Sequence, residues 1–411
     1  MHYNSNNITE SDKEFFLQEN ILENLHNTIT SQGYSGSTSL PKLIFISLFT
    51  RLLKKPVSLV IKGPSASGKS YALGTALKFV PPEAYEQFSG MSEKALLYLK
   101  DLDLKHRYLV IGEAAGLAEG VGRAFLRQLL SEGKVRYATV QSTSEGCVGQ
   151  ELQPLEGPTG LILTTTANAL HPEDETRMLS YHLDESPQRI REALLKQATG
   201  IKLRRAELDT APWFALHRFV SSGPDSVEIP FAEKLAKALP DTHFRVLRDF
   251  SQILSLISAH ALVHQCTRDR DQDGALIARL ADYEAVYELV SEPIAQGLDN
   301  AIPEQVRIVV EGVQKLQGEQ GRSMGGVSQV KLAEMLNRDP SVISRNVAKA
   351  VAQGYVRNLT PGQGRLASLE LGDRQLPRGS VLPHPDELKG ISEMQCTSTI
   401  SREALLPDIP F

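Results

Sequence analysis

Gly63-Pro64-Ser65-Ala66-Ser67-Gly68-Lys69-Ser70 is the stretch on which the rest of the chain is read. It fits the pattern Gly-x4-Gly-Lys-Ser without a mismatch. Ahead of it, Val57-Ser58-Leu59-Val60-Ile61 is β-branched and apolar, which predicts a buried strand. Behind it, Tyr71 to Phe79 predicts a helix with an apolar face. Strand, Gly-rich loop and helix in that order make a phosphate cradle. Small residues let backbone N–H groups close around phosphate oxygens, and the helix N-terminus adds a positive dipole end. In this reading Gly63, Pro64, Ser65, Ala66, Ser67 and Gly68 hold the phosphates of ATP. Lys69 reaches the β- and γ-phosphates, and the Ser70 hydroxyl ligates Mg²⁺.

The strand and helix pattern around this loop extends the nucleotide reading. Arg107 to Glu113 is an apolar strand ending in an acid. P-loop ATPases place there an Asp that holds Mg²⁺ through water, followed by a Glu that orients the attacking water. Here Gly112 takes the Asp position and Glu113 remains as the candidate water-activating residue. Ala124 to Leu130 predicts a helix. Gly133 to Gln141, the turn Ser142 to Gly146 and Cys147-Val148 predict a β-hairpin. Lys134 and Arg136 at its start are candidate DNA contacts, although exposed strands carry such charges for solubility alone.

Gly160 to Thr166 is a third apolar strand, ending in Ala167-Asn168. Asn168 is placed to reach a γ-phosphate or an attacking water. Apolar strands separated by helices predict an α/β domain whose parallel sheet is covered on both faces. Arg177, just past the third strand, stands where an oligomeric ATPase presents an arginine to its neighbour's γ-phosphate. Pairing with nearby acids is the other reading of Arg177.

Beyond residue 200 the pattern changes. Residues 201–300 read as all-helical, with positions 247, 250, 253, 254, 257 and 261 on one helix face. Asp269 to Gly274 imitates the start of a calcium loop, but position twelve is Leu280 where a Glu is needed, so it reads as a charged turn. His260 and His264 lie four apart, with no third metal ligand evident. From 303 to 371 two helices, a short turn, a helix capped by Ser341 and a hairpin predict a winged helix. That segment has nine Lys/Arg against six Asp/Glu in a chain whose formal charge is -5. Arg345 and Lys349, four apart on the second helix of the pair, are candidate DNA contacts.

The whole sequence sets outer bounds. A chain of 411 residues accommodates two to three domains. Its three cysteines, Cys147, Cys266 and Cys396, are far apart and lack CxxC spacing, which argues against a disulfide framework or zinc site. No signal-peptide pattern or apolar run of membrane-span length stands out, so a cytoplasmic location without a membrane partner is expected.

By residue 261 the chain resembles AAA+ ATPases. Within them it is similar to the minichromosome-maintenance-like DNA helicases, especially short relatives carried by mobile genetic elements. The order of the loop, Glu113, the hairpin ahead of the Asn168 strand, and Arg177 with its following Leu-Asp-Glu-Ser carries the likeness. So does Arg248 to Ala261, which looks like the family's lid motif. The resemblance implies a P-loop AAA+ core with a helical lid and a C-terminal winged helix. It assigns Asn168 as first sensor, Arg177 as arginine finger and Arg248 as the lid arginine that senses the γ-phosphate. Gly112 departs from the family's Asp, and residues 1–40 are shorter than the barrel of full-length relatives. The expected domains are 1–40 as a helical and linker segment, 41–200 as ATPase core, 201–300 as lid, 301–372 as winged helix and 373–411 as a flexible tail. The expected activity is that of an ATP- and Mg²⁺-dependent DNA motor. A homo-oligomeric, hexameric ring that works with replication partners as a helicase of a mobile element is what the resemblance implies. A loader or target-selection ATPase, and an ATP-controlled DNA-binding regulator, are the competing readings.

Overall fold

The computed structural model describes residues 8–91, 95–99, 102–113, 121–143, 146–151, 154–167, 170–183, 187–200, 207–240, 245–300, 302, 304–320, 326–360, 367–374, 376 and 381–389. They fall in two compact units. One lies within Met1–Ala238, Leu247–Pro293 and Pro383–Phe411, the other within Leu239–Val246 and Ile294–Leu382. Asn168, the hairpin tip at 144–145 and the Asp184-Glu185-Ser186 segment lie outside the described residues.

In chain order the strands from 59 to 182 are β1 (Leu59–Lys62), β2 (Tyr85–Phe88), β3 (Arg107–Ile111), β4 (Lys134–Val135), β5 (Ala138–Thr143), β6 (Gly146–Glu151), β7 (Leu155–Glu156), β8 (Thr159–Thr165) and β9 (Leu179–His182). Five of them make one parallel sheet in the order β2-β3-β8-β1-β9. This is the α/β class expected from the sequence. β1 is buried at all four positions and β8 at all seven, as strands covered on both faces must be. Leu59 pairs with Ile162 on one side and Leu179 on the other. Both neighbours of β1 follow it in sequence, so the sheet's topological switch point lies at β1, and ligands of such sheets bind at the carboxyl ends there.

Packing fixes the sheet to its helices. Phe125, Leu126 and Leu129 of helix Val121–Glu132 share a core with Val60, Leu109, Ile111, Leu161 and Leu163. Helix Ser39–Phe49 is buried around nearly its whole circumference. Its Phe49 stacks on His217 at 4.0 Å, and its Phe45 meets Trp213 edge-on at 5.6 Å. Tyr108 of β3 faces Gly160 of β8 in register, and a Cβ at Gly160 would stand 2.3 Å from the tyrosine ring. The Tyr108 hydroxyl lies 2.6 Å from both the Ser47 and Val57 carbonyls. A small residue on one strand thus lets a tyrosine on the next tie the sheet to its covering helix.

Several expected elements differ in detail. Residues 10–31 form two helices, Glu10–Phe16 and Ile21–Ser31. The first is closed by a reciprocal Thr9–Asp12 capping box and docks through Phe15 on Trp213, 4.8 Å away. The span 201–300 is not purely helical, because Val227–Glu228 pairs with Leu276–Ile277. The expected tail has a folded portion: helix Pro385–Leu388 buries Leu388, and Tyr283 donates to the Pro383 carbonyl at 2.7 Å. Helix Arg245–Val263 is long and apolar enough to cross a membrane by length and composition alone. Its Ile253, Leu256, Ile257 and Leu262 are buried in the protein, as in a core helix.

The second unit contains helices Glu304–Gln320, Gln329–Met335 and Pro340–Ala352. Its antiparallel sheet places Ser368–Leu371 between Val327–Ser328 and Val356–Asn358. Val306, Val309, Val313, Leu332, Ile343, Val347 and Leu369 form its core. The expected cap is corrected: the helix begins at Pro340, and Asp339 caps it by accepting from the Ser341 N–H at 2.8 Å. An Asp followed by Pro at the first helical position is the stronger start signal.

Candidate functional site

The Gly63–Ser70 loop leaves the carboxyl end of β1 and enters helix Lys69–Leu77. Ala66 (φ 64°) and Gly68 (φ 92°) are left-handed, which turns the loop tightly ahead of the helix. Gly63 has φ 156°, and a Cβ there would stand 2.9 Å from Ser67 Oγ. Lys69 is buried, and its Nζ donates to the Gly63 and Pro64 carbonyls at 2.7 and 2.6 Å. The ammonium is thus held over the loop by carbonyls. Ser67 Oγ is buried without a hydrogen-bond partner, while Ser70 is exposed at the helix start. A left-handed loop, a helix N-terminus, a lysine and an orphaned hydroxyl fit the phosphates of a nucleotide, and Ser70 is free to take a metal ligand position.

Glu113 follows the carboxyl end of β3, exposed to solvent and two strands from β1. Gly112 is tightly set. Its N–H donates to the Phe88 carbonyl at 2.9 Å, and its carbonyl accepts from the Thr164 hydroxyl. A Cβ there would lie 3.1 Å from the carbonyl oxygen of Ser89, the residue after β2, a close contact.

Arg177 and Arg248 occupy a different edge. Arg177 precedes β9, and Lys55 and Thr159 mark the same amino-terminal edge beside β1 and β8. β8 alone spans roughly 20 Å between the two edges. Arg177 Nε donates to Ser131 Oγ at 3.0 Å and its Nη1 to the Glu173 carbonyl at 2.5 Å. Among the described residues it has no carboxylate partner, against the reading of a helix-end arginine neutralised by acids. Arg248 donates to the Thr176 hydroxyl. Both arginines line a cleft of about 540 Å³ with Lys54, Lys55, Ser251 and Gln252. Within one chain, the loop and the two arginines belong to opposite edges of the sheet.

The acidic run before Arg177 is more organised than its sequence suggests. Glu175 pairs with Lys62, the last residue of β1, which is 1% exposed. Asp174 is buried between Arg123 and Arg127, and Arg127 also meets Glu173 at 2.6 Å. Lys62, Arg123 and Arg127 carried no motif; the run of three acids beside Arg177 was the available signal.

The candidate DNA contacts differ in their freedom. Lys134 pairs with Glu156, its partner across β4 and β7, at 2.6 Å. Arg136 makes a bidentate pair with Glu151 at 2.7 and 3.1 Å. A phosphate at either must displace a carboxylate. Arg345 and Lys349 are exposed on helix Pro340–Ala352 with no carboxylate partner among the described residues.

The histidine pair has a third neighbour after all. His260, His264 and Asp282 are buried, with ligand-type atoms within 4.8 Å of one another. Asp282 accepts from His260 Nδ1 at 2.6 Å, from Arg268 at 2.6 and 3.0 Å and from the Arg279 N–H at 2.7 Å. Burial pushes its carboxyl up, but the hydrogen bonds from His260 and Arg268 outweigh this and hold it well below the usual carboxylate range. An arginine already neutralises this carboxylate, so the cluster is an ion-pair network. The Asp269 to Gly274 segment is a turn in which Asp271 accepts from the N–H groups of Asp273 and Ala275 at 2.9 and 2.8 Å.

No protein-family model matches the chain, and no curated protein matches it.

Proposed function

We propose that the chain is an ATPase of AAA+ type that uses ATP turnover to act on DNA, as a ring-forming motor in the replication of a mobile element. Gly63 to Ser70 binds the phosphates, Lys69 turns from the loop carbonyls to the β- and γ-oxygens, and Ser70 holds Mg²⁺. Mg²⁺, when bound, draws charge from the phosphoryl oxygens. Glu113 orients and deprotonates water at the carboxyl edge, and Asn168 is the proposed sensor of the γ-phosphate. Arg177 and Arg248 complete the site of a neighbouring copy. A head-to-tail contact of this kind closes into a ring, and the proposed ring is a hexamer. The second unit has the element order of a winged helix, with Arg345 and Lys349 toward DNA. The proposed location is the cytoplasm.

The observation that carries this reading is the left-handed, lysine-capped loop at the switch point of a five-stranded parallel sheet. ATP hydrolysis tests it. Lys69→Ala abolishes turnover, and Glu113→Gln keeps ATP binding but loses hydrolysis, since an amide takes no proton from water. Full turnover by folded Lys69→Ala protein contradicts the assignment.

The carboxylate partners of Lys134 and Arg136 favour a second reading. In it, ATP turnover loads or remodels a partner, and the hairpin does not track DNA. Strand displacement on a forked duplex separates the two. A motor displaces the strand, and a loader hydrolyses ATP without doing so.

A further inference from the structure

We propose that Lys62 and Glu175 are positioning residues that couple the phosphate loop of one subunit to the arginines it presents to the next. The inference rests on the shared-site reading above and adds its regulation. The five consecutive residues Glu173 to Arg177 hold three parts of the first unit: helix Val121–Glu132, β1 and helix Arg245–Val263. Glu173 and Asp174 grip Arg127, and Asp174 also grips Arg123, both on helix Val121–Glu132. Glu175 pairs with Lys62 of β1. Thr176 accepts from Arg248, and Arg177 reaches Ser131.

Lys62 is the residue immediately before Gly63, so the loop starts on a side chain that ends in this segment. The pair is largely withdrawn from water, with Lys62 1% and Glu175 15% exposed. A buried pair of this kind is costly to break from one side, because the remaining charge stays desolvated. It therefore joins its two elements firmly, and a movement of the end of β1 on nucleotide binding is passed to residues 173–177. Two residues beyond Glu175 is Arg177, and between them Thr176 holds Arg248. The loop's state thus sets the aim of both arginines. Such coupling is demonstrated only when both ends are shown to respond together.

The test uses full-length Lys62→Met and Glu175→Gln proteins, each mixed with Lys69→Ala or Arg177→Ala protein, with ATP turnover and ATP affinity as readouts. Lys62 adjoins the phosphate loop, yet the proposal assigns its loss to the arginine face. Each variant alone should bind ATP within about twofold of wild type and lose at least tenfold in kcat. Each should recover turnover with Lys69→Ala protein, whose arginine face is intact, and none with Arg177→Ala protein. The reverse pattern makes Lys62 part of its own loop and overturns the proposal. So does full activity of the single variants.

The double variant Lys62→Met/Glu175→Leu guards against a purely structural effect. It replaces the pair with apolar groups, and should restore the melting temperature without restoring kcat. Recovery of both would overturn the coupling. The control mixture of Lys69→Ala with Arg177→Ala separates the two claims. If it co-assembles and stays inactive while an isolated wild-type monomer hydrolyses ATP at the full rate, the shared-site reading itself fails.

Discussion

Arg248 donates a hydrogen bond to the Thr176 hydroxyl, which sets it beside Arg177 at the amino-terminal edge of the sheet. Arg248 belongs to helix Arg245–Val263 and Arg177 to the turn before β9, more than seventy residues apart in sequence. On the proposed shared-site reading, their meeting gives Arg248 the same neighbour-facing role as Arg177. Arg248→Ala protein should keep its ATP affinity and lose about 10³-fold or more in kcat, the size of an arginine-finger loss. Mixed with Lys69→Ala protein it should regain activity. A variant that loses ATP affinity instead would place Arg248 over its own loop.

Much of this geometry was legible in the sequence, and the reasons differ by element. The loop and its strand were readable because Gly63, Gly68 and Lys69 serve a local conformation, and a buried parallel strand shows as an apolar run. The position of β9 beside β1 was not readable, since Leu179–His182 is four residues long and its register with Leu59 is set by tertiary packing. The edge on which Arg248 lies was equally hidden, because a helix motif fixes spacing and not the surface it meets. The pairing of Lys134 and Arg136 with Glu156 and Glu151 depends on strand register, which the charges alone do not specify. The cap at Asp339 was a local signal, and the Asp-Pro order outranked the serine that follows it.

The second unit yields a DNA prediction. Arg345 and Lys349 lie one helical turn apart and have no carboxylate partner among the described residues. Changing both to Ala should weaken DNA binding and lower the slope of log K against log salt by about two. Lys134→Ala with Arg136→Ala should lower it far less, since Glu156 and Glu151 already neutralise those charges. Equal effects from the two pairs would assign the hairpin a direct phosphate contact.

Two buried histidines predict acid sensitivity. His217 is fully buried against Phe45 and Phe49 with both ring nitrogens unpartnered; burial, then the Arg51 charge, holds it well below 6.5. Burial, with the neighbouring His260 adding to it, pushes His264 down to about 3. Each remains neutral in the folded chain while the unfolded chain binds a proton as pH falls through about 6.5. Stability is therefore complete above that value and declines as pH drops toward 3, by at most about 1.4 kcal/mol per pH unit for each histidine. Urea unfolding at pH 7, 6 and 5 measures the slope. His217→Phe, which matches its aromatic neighbours, should reduce that slope by about one proton's worth. An unchanged slope would show that His217 does not titrate on unfolding.

On the proposed reading the phosphate loop of one copy and the arginines of another form one site. ATP turnover by a mixture of Lys69→Ala and Arg177→Ala proteins tests it most directly, with co-assembly checked by native mass measurement. Each protein alone should be inactive. In mixed assemblies some interfaces join an intact Lys69 to an intact Arg177, so turnover should return to a fraction of the wild-type rate and rise with the proportion of such interfaces. A mixture that co-assembles yet stays inactive, together with an isolated wild-type monomer that hydrolyses ATP at the full rate, would contradict the account.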